Sequence, residues 1–111
     1  MPKATVKIQL ADEDIELVPT LEAMEYLHKQ VDNFQAVYAR LSTMNFDMYT
    51  HVIYAGVIGK KPNIKAIKEN VFETGMIPLM EPLIRFTTIL LNGGKEPKEA
   101  EEAKSTNPEV L

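Results

Sequence analysis

ATVKIQLADEDIELVPTL, residues 4–21, is the stretch that decides how the rest of the chain folds. Its first half alternates apolar and polar side chains, the period of two that is typical of a strand with one buried face. The acidic run 11–14 interrupts this pattern, and a second apolar run, 15–18, follows it. Aspartates suit such a turn because their carboxylates accept hydrogen bonds from nearby backbone amides. The stretch therefore predicts an antiparallel hairpin, which is too small to be stable without helices packed on it.

Helices are predicted for the rest of the chain up to residue 91. Thr20, Asn45 and Asn63 are each predicted to cap the start of a helix, while Asp32 and Asn33 separate the first helix from the second. The third helix is predicted to end at Gly59, with Gly56 allowing a close approach. The residues predicted to face the core in these four helices recur at helical spacing: Leu21, Met24, Leu27, Val31, Phe34, Val37, Tyr38, Leu41, Met48, Val52, Ile53, Val57, Ile64, Ile67, Val71 and Phe72.

The last helix is predicted within the most apolar stretch of the chain, residues 76–91. Pro78 suits a first helical turn, but Pro82 places the start of regular helix between Leu79 and Pro82. Apolar residues cover much of the circumference of this helix. Its apolar surface is therefore larger than one small core requires. We therefore predict a protein interface on it, formed by Leu83, Ile84, Phe86, Ile89, Leu90 and Leu91.

These elements predict an α+β, mostly α domain over residues 1–95, with an N-terminal β-hairpin packed on a compact bundle of four to five helices. Residues 96–111 have almost nothing apolar to bury, which predicts a disordered, acidic C-terminal tail. A chain of 111 residues with 45% hydrophobic and 25% charged residues has the composition of a single globular domain. Without a signal peptide pattern or an uninterrupted apolar run of about 20 residues, it is expected to be cytoplasmic and not to enter a membrane.

The residues predict no catalytic, cofactor or metal site. There is no cysteine, and the two histidines, His28 and His51, have no second ligand or acid at a useful spacing. His28 is expected to be partly exposed and His51 to be packed or hydrogen-bonded. The segment 56–61 has two residues between its glycines where a phosphate loop has four, and the acidic run 12–14 lacks the spacing of a calcium loop. The chain is therefore predicted not to be an enzyme.

A net charge of −4 argues against nucleic acid as the main partner. Lys61, Lys65 and Lys68 are nevertheless predicted to share a helical face. A solvated surface is the favoured interpretation of that face. Together with Lys60, it supports one alternative function, that of a small nucleic-acid-binding regulatory protein.

Two segments carry a resemblance to a known family: LVPTLEA, residues 17–23, which leads from the hairpin into the first helix, and VIYAGVIG, residues 52–59. With the apolar last helix and charged tail, their order resembles the gene-transfer-agent-type tail assembly chaperones of long-tailed phages and prophages. The resemblance covers roughly residues 5–95 and rests on residue type and spacing.

The resemblance implies a protein that coats the tape-measure protein and keeps its long apolar helix soluble until tail-tube subunits polymerise around it. The tail-tube protein is then a second candidate partner, and the finished virion should lack the chaperone. Association with copies of itself is also expected, through the edge of the hairpin or residues 83–91. The alternative role for a phage tail protein is that of a structural tail-tube or tail-completion component that stays in the particle.

Overall fold

The computed structural model describes residues 4–96 and begins with the predicted hairpin. Strands β1 (Val6–Leu10) and β2 (Glu13–Leu17) pair antiparallel, with Val6 opposite Leu17 and Ile8 opposite Ile15. The turn is tighter than predicted, since only Ala11 and Asp12 lie outside the strands. Both have positive φ angles, 51° and 67°, as a two-residue hairpin turn requires.

Five α-helices follow the hairpin: α1 (Leu21–Gln30), α2 (Phe34–Ser42), α3 (Phe46–Gly56), α4 (Ile64–Thr74) and α5 (Ile77–Leu91). Four of them begin as predicted, at Thr20, Asn33, Asn45 and Asn63. Each of these side chains accepts a hydrogen bond from the backbone amide three residues further on, which satisfies one of the free donors at a helix start. The α+β, mostly α fold class is confirmed. The predicted tail lies outside the described residues, apart from Glu96.

Helix α5 begins at Ile77, before the predicted start, and contains Pro82 in its interior. Pro78 lies in the first turn, where its missing N–H would have had no partner within the helix. Pro82 removes one bond, the one its amide would have donated to the carbonyl of residue 78. Burial of Leu79 and Leu83 on either side of Pro82 stabilises the helix through this gap.

Helix α3 lies at the centre of the domain and packs against β2 and the other four helices. Its Gly56 is close to Leu17 of β2, and the Val18 amide donates a 2.8 Å hydrogen bond to the Gly56 carbonyl. The close approach predicted at Gly56 is confirmed. Strand β1 turns its apolar side towards α4 and α5. Helix α3 ends at Gly56, three residues before its predicted end.

Candidate protein-binding surfaces

Most residues of the interface predicted on α5 are buried within the domain, which corrects that prediction. Four of its six residues have between 0% and 4% of their surface exposed: Leu83, Phe86, Ile89 and Leu90. The physical reason is that α5 contacts α2, α3 and β1, so most of its apolar circumference is covered within the domain. Ile84 is half-buried, and Leu91 is 41% exposed. Only these two remain as accessible parts of the predicted interface.

An apolar groove lies instead along α1 and the start of α2. We call it the α1 groove; it has a volume of about 490 Å³ and is lined by Leu21, Met24, Glu25, His28, Lys29 and Phe34. Leu21, which helical spacing places on the core face, is 69% exposed here. His28 and Phe34 stack with 6.3 Å between their ring centroids. Three of the six lining residues are therefore apolar, and charged groups accompany them along α1.

The α1 groove continues towards the end of α5. Leu21 and Met24 also line a smaller cavity of about 190 Å³, together with Leu90, Gly93 and Gly94. The two cavities form one continuous surface because they share the exposed Leu21 side chain.

A second apolar surface lies where α2, α3, α4 and α5 come together. We call it the Phe72 surface; it encloses about 560 Å³ and is lined by Met44, Phe46, Val71, Phe72, Gly75, Met76 and Ile77. Phe72 is 83% exposed and Ile77 is 78% exposed. The prediction that Phe72 faces the core is therefore wrong. Val71 takes the buried position beside it, because adjacent residues of a helix point in different directions.

The two apolar surfaces lie at opposite ends of α5. Ile77, its first residue, belongs to the Phe72 surface, while Leu90 lines the cavity that joins the α1 groove. A helix of 15 residues is about 22 Å long. One partner of small size could therefore occupy either surface without covering the other.

A polar cluster surrounds His51 on α3. The Tyr26 hydroxyl and His51 Nδ1 lie 2.7 Å apart, and the Tyr26 ring packs against Tyr54 with centroids 5.0 Å apart. Burial lowers the pKa of His51, with Asp47 opposing the effect, and burial also raises the pKa of Tyr26. Both groups are therefore held in their neutral forms near pH 7. The prediction of a packed or hydrogen-bonded His51 is confirmed.

Lys61 closes the end of α3. Its ammonium group donates hydrogen bonds to the carbonyls of Tyr54 and Val57 and lies 4.8 Å from the centroid of the Tyr54 ring. Burial lowers the pKa of Lys61, while the charge of Glu22 opposes this effect. Cations stabilise the carbonyl end of a helix. Lys61 therefore stabilises the end of α3.

The basic face predicted from the lysines is not continuous. Lys61 precedes α4, so it does not share a helical face with Lys65 and Lys68. Lys68 also forms a 3.0 Å ion pair with Asp47. Of the four lysines considered, only Lys60 and Lys65 form no ion pair or hydrogen bond within residues 4–96. This arrangement gives little support to nucleic-acid binding.

Neither a metal site nor a membrane-spanning helix is found within the described part of the chain. No group of three or more acidic or histidine side chains there could hold a metal ion. None of the five described helices has the length and apolar character needed to cross a bilayer.

The chain matches no protein-family model, no curated protein and no solved structure. The resemblance of residues 17–23 and 52–59 to the tail assembly chaperones therefore stays a prediction. The apolar surfaces must be interpreted from their own geometry.

Proposed function

We propose that this chain is a non-enzymatic phage tail assembly chaperone that holds an apolar helix of the tape-measure protein in the α1 groove. The observation that carries the proposal is the 69% exposure of Leu21 in a groove that Met24 and Phe34 also line. The family resemblance supplies the identity of the partner. The same proposal places the protein in the bacterial cytoplasm and outside the finished virion.

The shape of the groove suits a partner helix. It has a volume of about 490 Å³ and is lined by residues of α1 and the start of α2. Leu21, Met24 and Phe34 offer apolar contact, as in complexes where an amphipathic helix lies in a groove. Glu25 and Lys29 lie beside this apolar part and would favour one orientation of a helix that carries polar residues on its outer side.

The small size of the groove favours a reversible contact. Six residues line it, whereas a standard stable interface has roughly 20–30 residues on each side. A tape-measure helix must later leave its chaperone so that tail-tube subunits can surround it. Many weak contacts along a long helix would keep it soluble, and the growing tube could displace them one after another.

The test is co-expression of the full chain with the tape-measure protein of the same gene cluster. We expect the wild-type chain to keep the tape-measure protein soluble and to copurify with it, and Leu21→Asp to abolish both effects. Leu21 is the first residue of α1, where a negative charge interacts favourably with the helix dipole, so this substitution should not unfold the domain.

Phe72→Lys is the matched control, since it changes an exposed apolar residue at the opposite end of α5 and should leave tape-measure binding intact. Failure of the wild-type chain to bind the tape-measure protein would end the proposal. If mass spectrometry of purified particles found the chain in constant proportion to the tail-tube protein, the structural alternative would replace it.

A further inference from the structure

The Phe72 surface exposes an apolar area comparable to the largest patch of a typical monomeric protein. At about 200 Å² for a fully exposed large side chain, Phe72, Ile77, Met44 and Phe46 together present about 470 Å² to solvent. The largest apolar patch of a typical monomer is about 300–600 Å² and often serves binding. One partner in a standard interface contributes about 800 Å². The apolar area is therefore sufficient for the centre of a protein interface.

The lack of charged residues in this surface indicates which kind of partner it could bind. None of its seven lining residues is ionisable. In a two-fold symmetric contact each surface meets its own copy, so charges near the axis would face like charges. The lining residues of the Phe72 surface avoid this repulsion. Its neutral lining therefore suits a second copy of the chain.

The backbone at Met44 provides an independent observation. Met44 has a φ angle of 64°, at a helix end where glycine is the usual residue. The Asn45 amide donates a 2.8 Å hydrogen bond to the Arg40 carbonyl, which closes α2 around this conformation. A methionine here gives up stability that glycine would supply, and it adds its side chain to the Phe72 surface. Such strain at an exposed apolar residue points to a use for that side chain.

We propose that the chain forms a symmetric homodimer through the Phe72 surface, with Phe72 and Ile77 of both copies buried at its centre. The α1 groove lies at the other end of α5, about 20 Å away. Each dimer therefore keeps two open α1 grooves. The dimer does not depend on the identity of the partner that occupies them.

Sedimentation equilibrium of the full chain from about 1 µM to about 1 mM tests the dimer. We expect the wild-type chain to be a dimer in the upper part of this range, and Phe72→Lys and Ile77→Glu each to raise its dissociation constant at least about ten-fold. Lysine suits the last turns of α4 and glutamate suits the first turn of α5, so neither change should unfold the protein. Circular dichroism melting curves check this directly.

Leu21→Asp is the matched control and should leave the dissociation constant unchanged. A wild-type chain that is monomeric throughout the range would overturn the proposal. So would a dimer whose dissociation constant changes less than ten-fold in both Phe72→Lys and Ile77→Glu. A dimer weakened by Leu21→Asp alone would place the contact in the α1 groove and also overturn it.

Discussion

A Cβ atom built on Gly56 would lie 2.8 Å from the Cβ of Leu17, closer than two such atoms approach in folded proteins. The same position is 3.2 Å from Cζ of Phe86. Leu17 and Phe86 are fully buried, and the hydrogen bond from the Val18 amide to Gly56 fixes the distance between β2 and α3. The absence of a side chain at Gly56 therefore allows the hairpin to pack on the central helix.

We expect Gly56→Ala to lower the free energy of unfolding by about 1–3 kcal/mol, because the hairpin must move away from α3. Alanine also has a helix propensity advantage of about 1 kcal/mol over glycine, which partly offsets this loss. Ala39→Gly, on the exposed side of α2, measures that propensity difference alone. Urea denaturation compares the variants, and an equal or higher stability for Gly56→Ala would contradict the packing argument.

The lowered pKa of His51 predicts a specific dependence of stability on pH. Burial favours the neutral imidazole in the folded state, whereas an unfolded histidine titrates near 6.5. This contribution to stability is therefore complete above about pH 6.5 and is lost as the pH falls from there through the folded-state pKa.

Urea denaturation at about pH 7.5 and about pH 5.5 measures this dependence. We expect His51→Gln to reduce the difference in stability between the two conditions, because glutamine has no titrating group at the Tyr26 hydroxyl. If the wild-type chain and the variant lost the same stability at low pH, His51 would not be the group responsible.

The role of Lys61 at the end of α3 predicts a loss of stability on its replacement. Lys61→Met removes the hydrogen bonds to the Tyr54 and Val57 carbonyls and keeps most of the aliphatic chain. We expect a loss of about 1 kcal/mol, at the low end for charged hydrogen bonds because the ammonium group is partly exposed to water. Lys60→Met is the control, and its thermal midpoint should equal that of the wild-type chain.

The same lysines give a test of the nucleic-acid alternative. We expect the chain to show no DNA binding that weakens steeply with salt, since Lys61 and Lys68 have partners within the domain. Fluorescence anisotropy with a labelled duplex at low and moderate salt measures this. Salt-dependent binding that is lost in Lys60→Glu and Lys65→Glu would favour a nucleic-acid-binding function instead.

The order of elements could be predicted from the sequence because each boundary has a local chemical cause. Thr20, Asn33, Asn45 and Asn63 cap their own helices, and alternation in β1 depends only on neighbouring residues. The start of α5 was harder to predict from the sequence. The effect of proline on a helix is local, whereas burial of Leu79 and Leu83 depends on the rest of the domain.

The apolar surfaces could not be predicted from helical spacing alone. Spacing indicates which residues share one side of a helix, but the width of the buried part depends on where neighbouring elements lie. Leu21 and Phe72 are exposed because no described element covers them. Ile89 shows the reverse. It was predicted to be part of an exposed interface, but packing of α5 against several elements buries it.

The conformation of Met44 gives the last prediction. With a φ angle of 64°, this residue has a backbone that costs roughly 1 kcal/mol for a side chain other than glycine or asparagine. Met44→Gly should relieve this strain, and the Tyr49 hydroxyl would keep its 2.7 Å hydrogen bond to the Leu41 carbonyl after losing its contact with the Met44 sulfur. We expect the thermal midpoint of the monomer to be equal or higher.

The dimer dissociation constant of Met44→Gly should rise because the Phe72 surface loses one apolar side chain. Melting curves at low protein concentration and sedimentation equilibrium separate the two effects, and a less stable monomer would show that Met44 serves the fold rather than the surface.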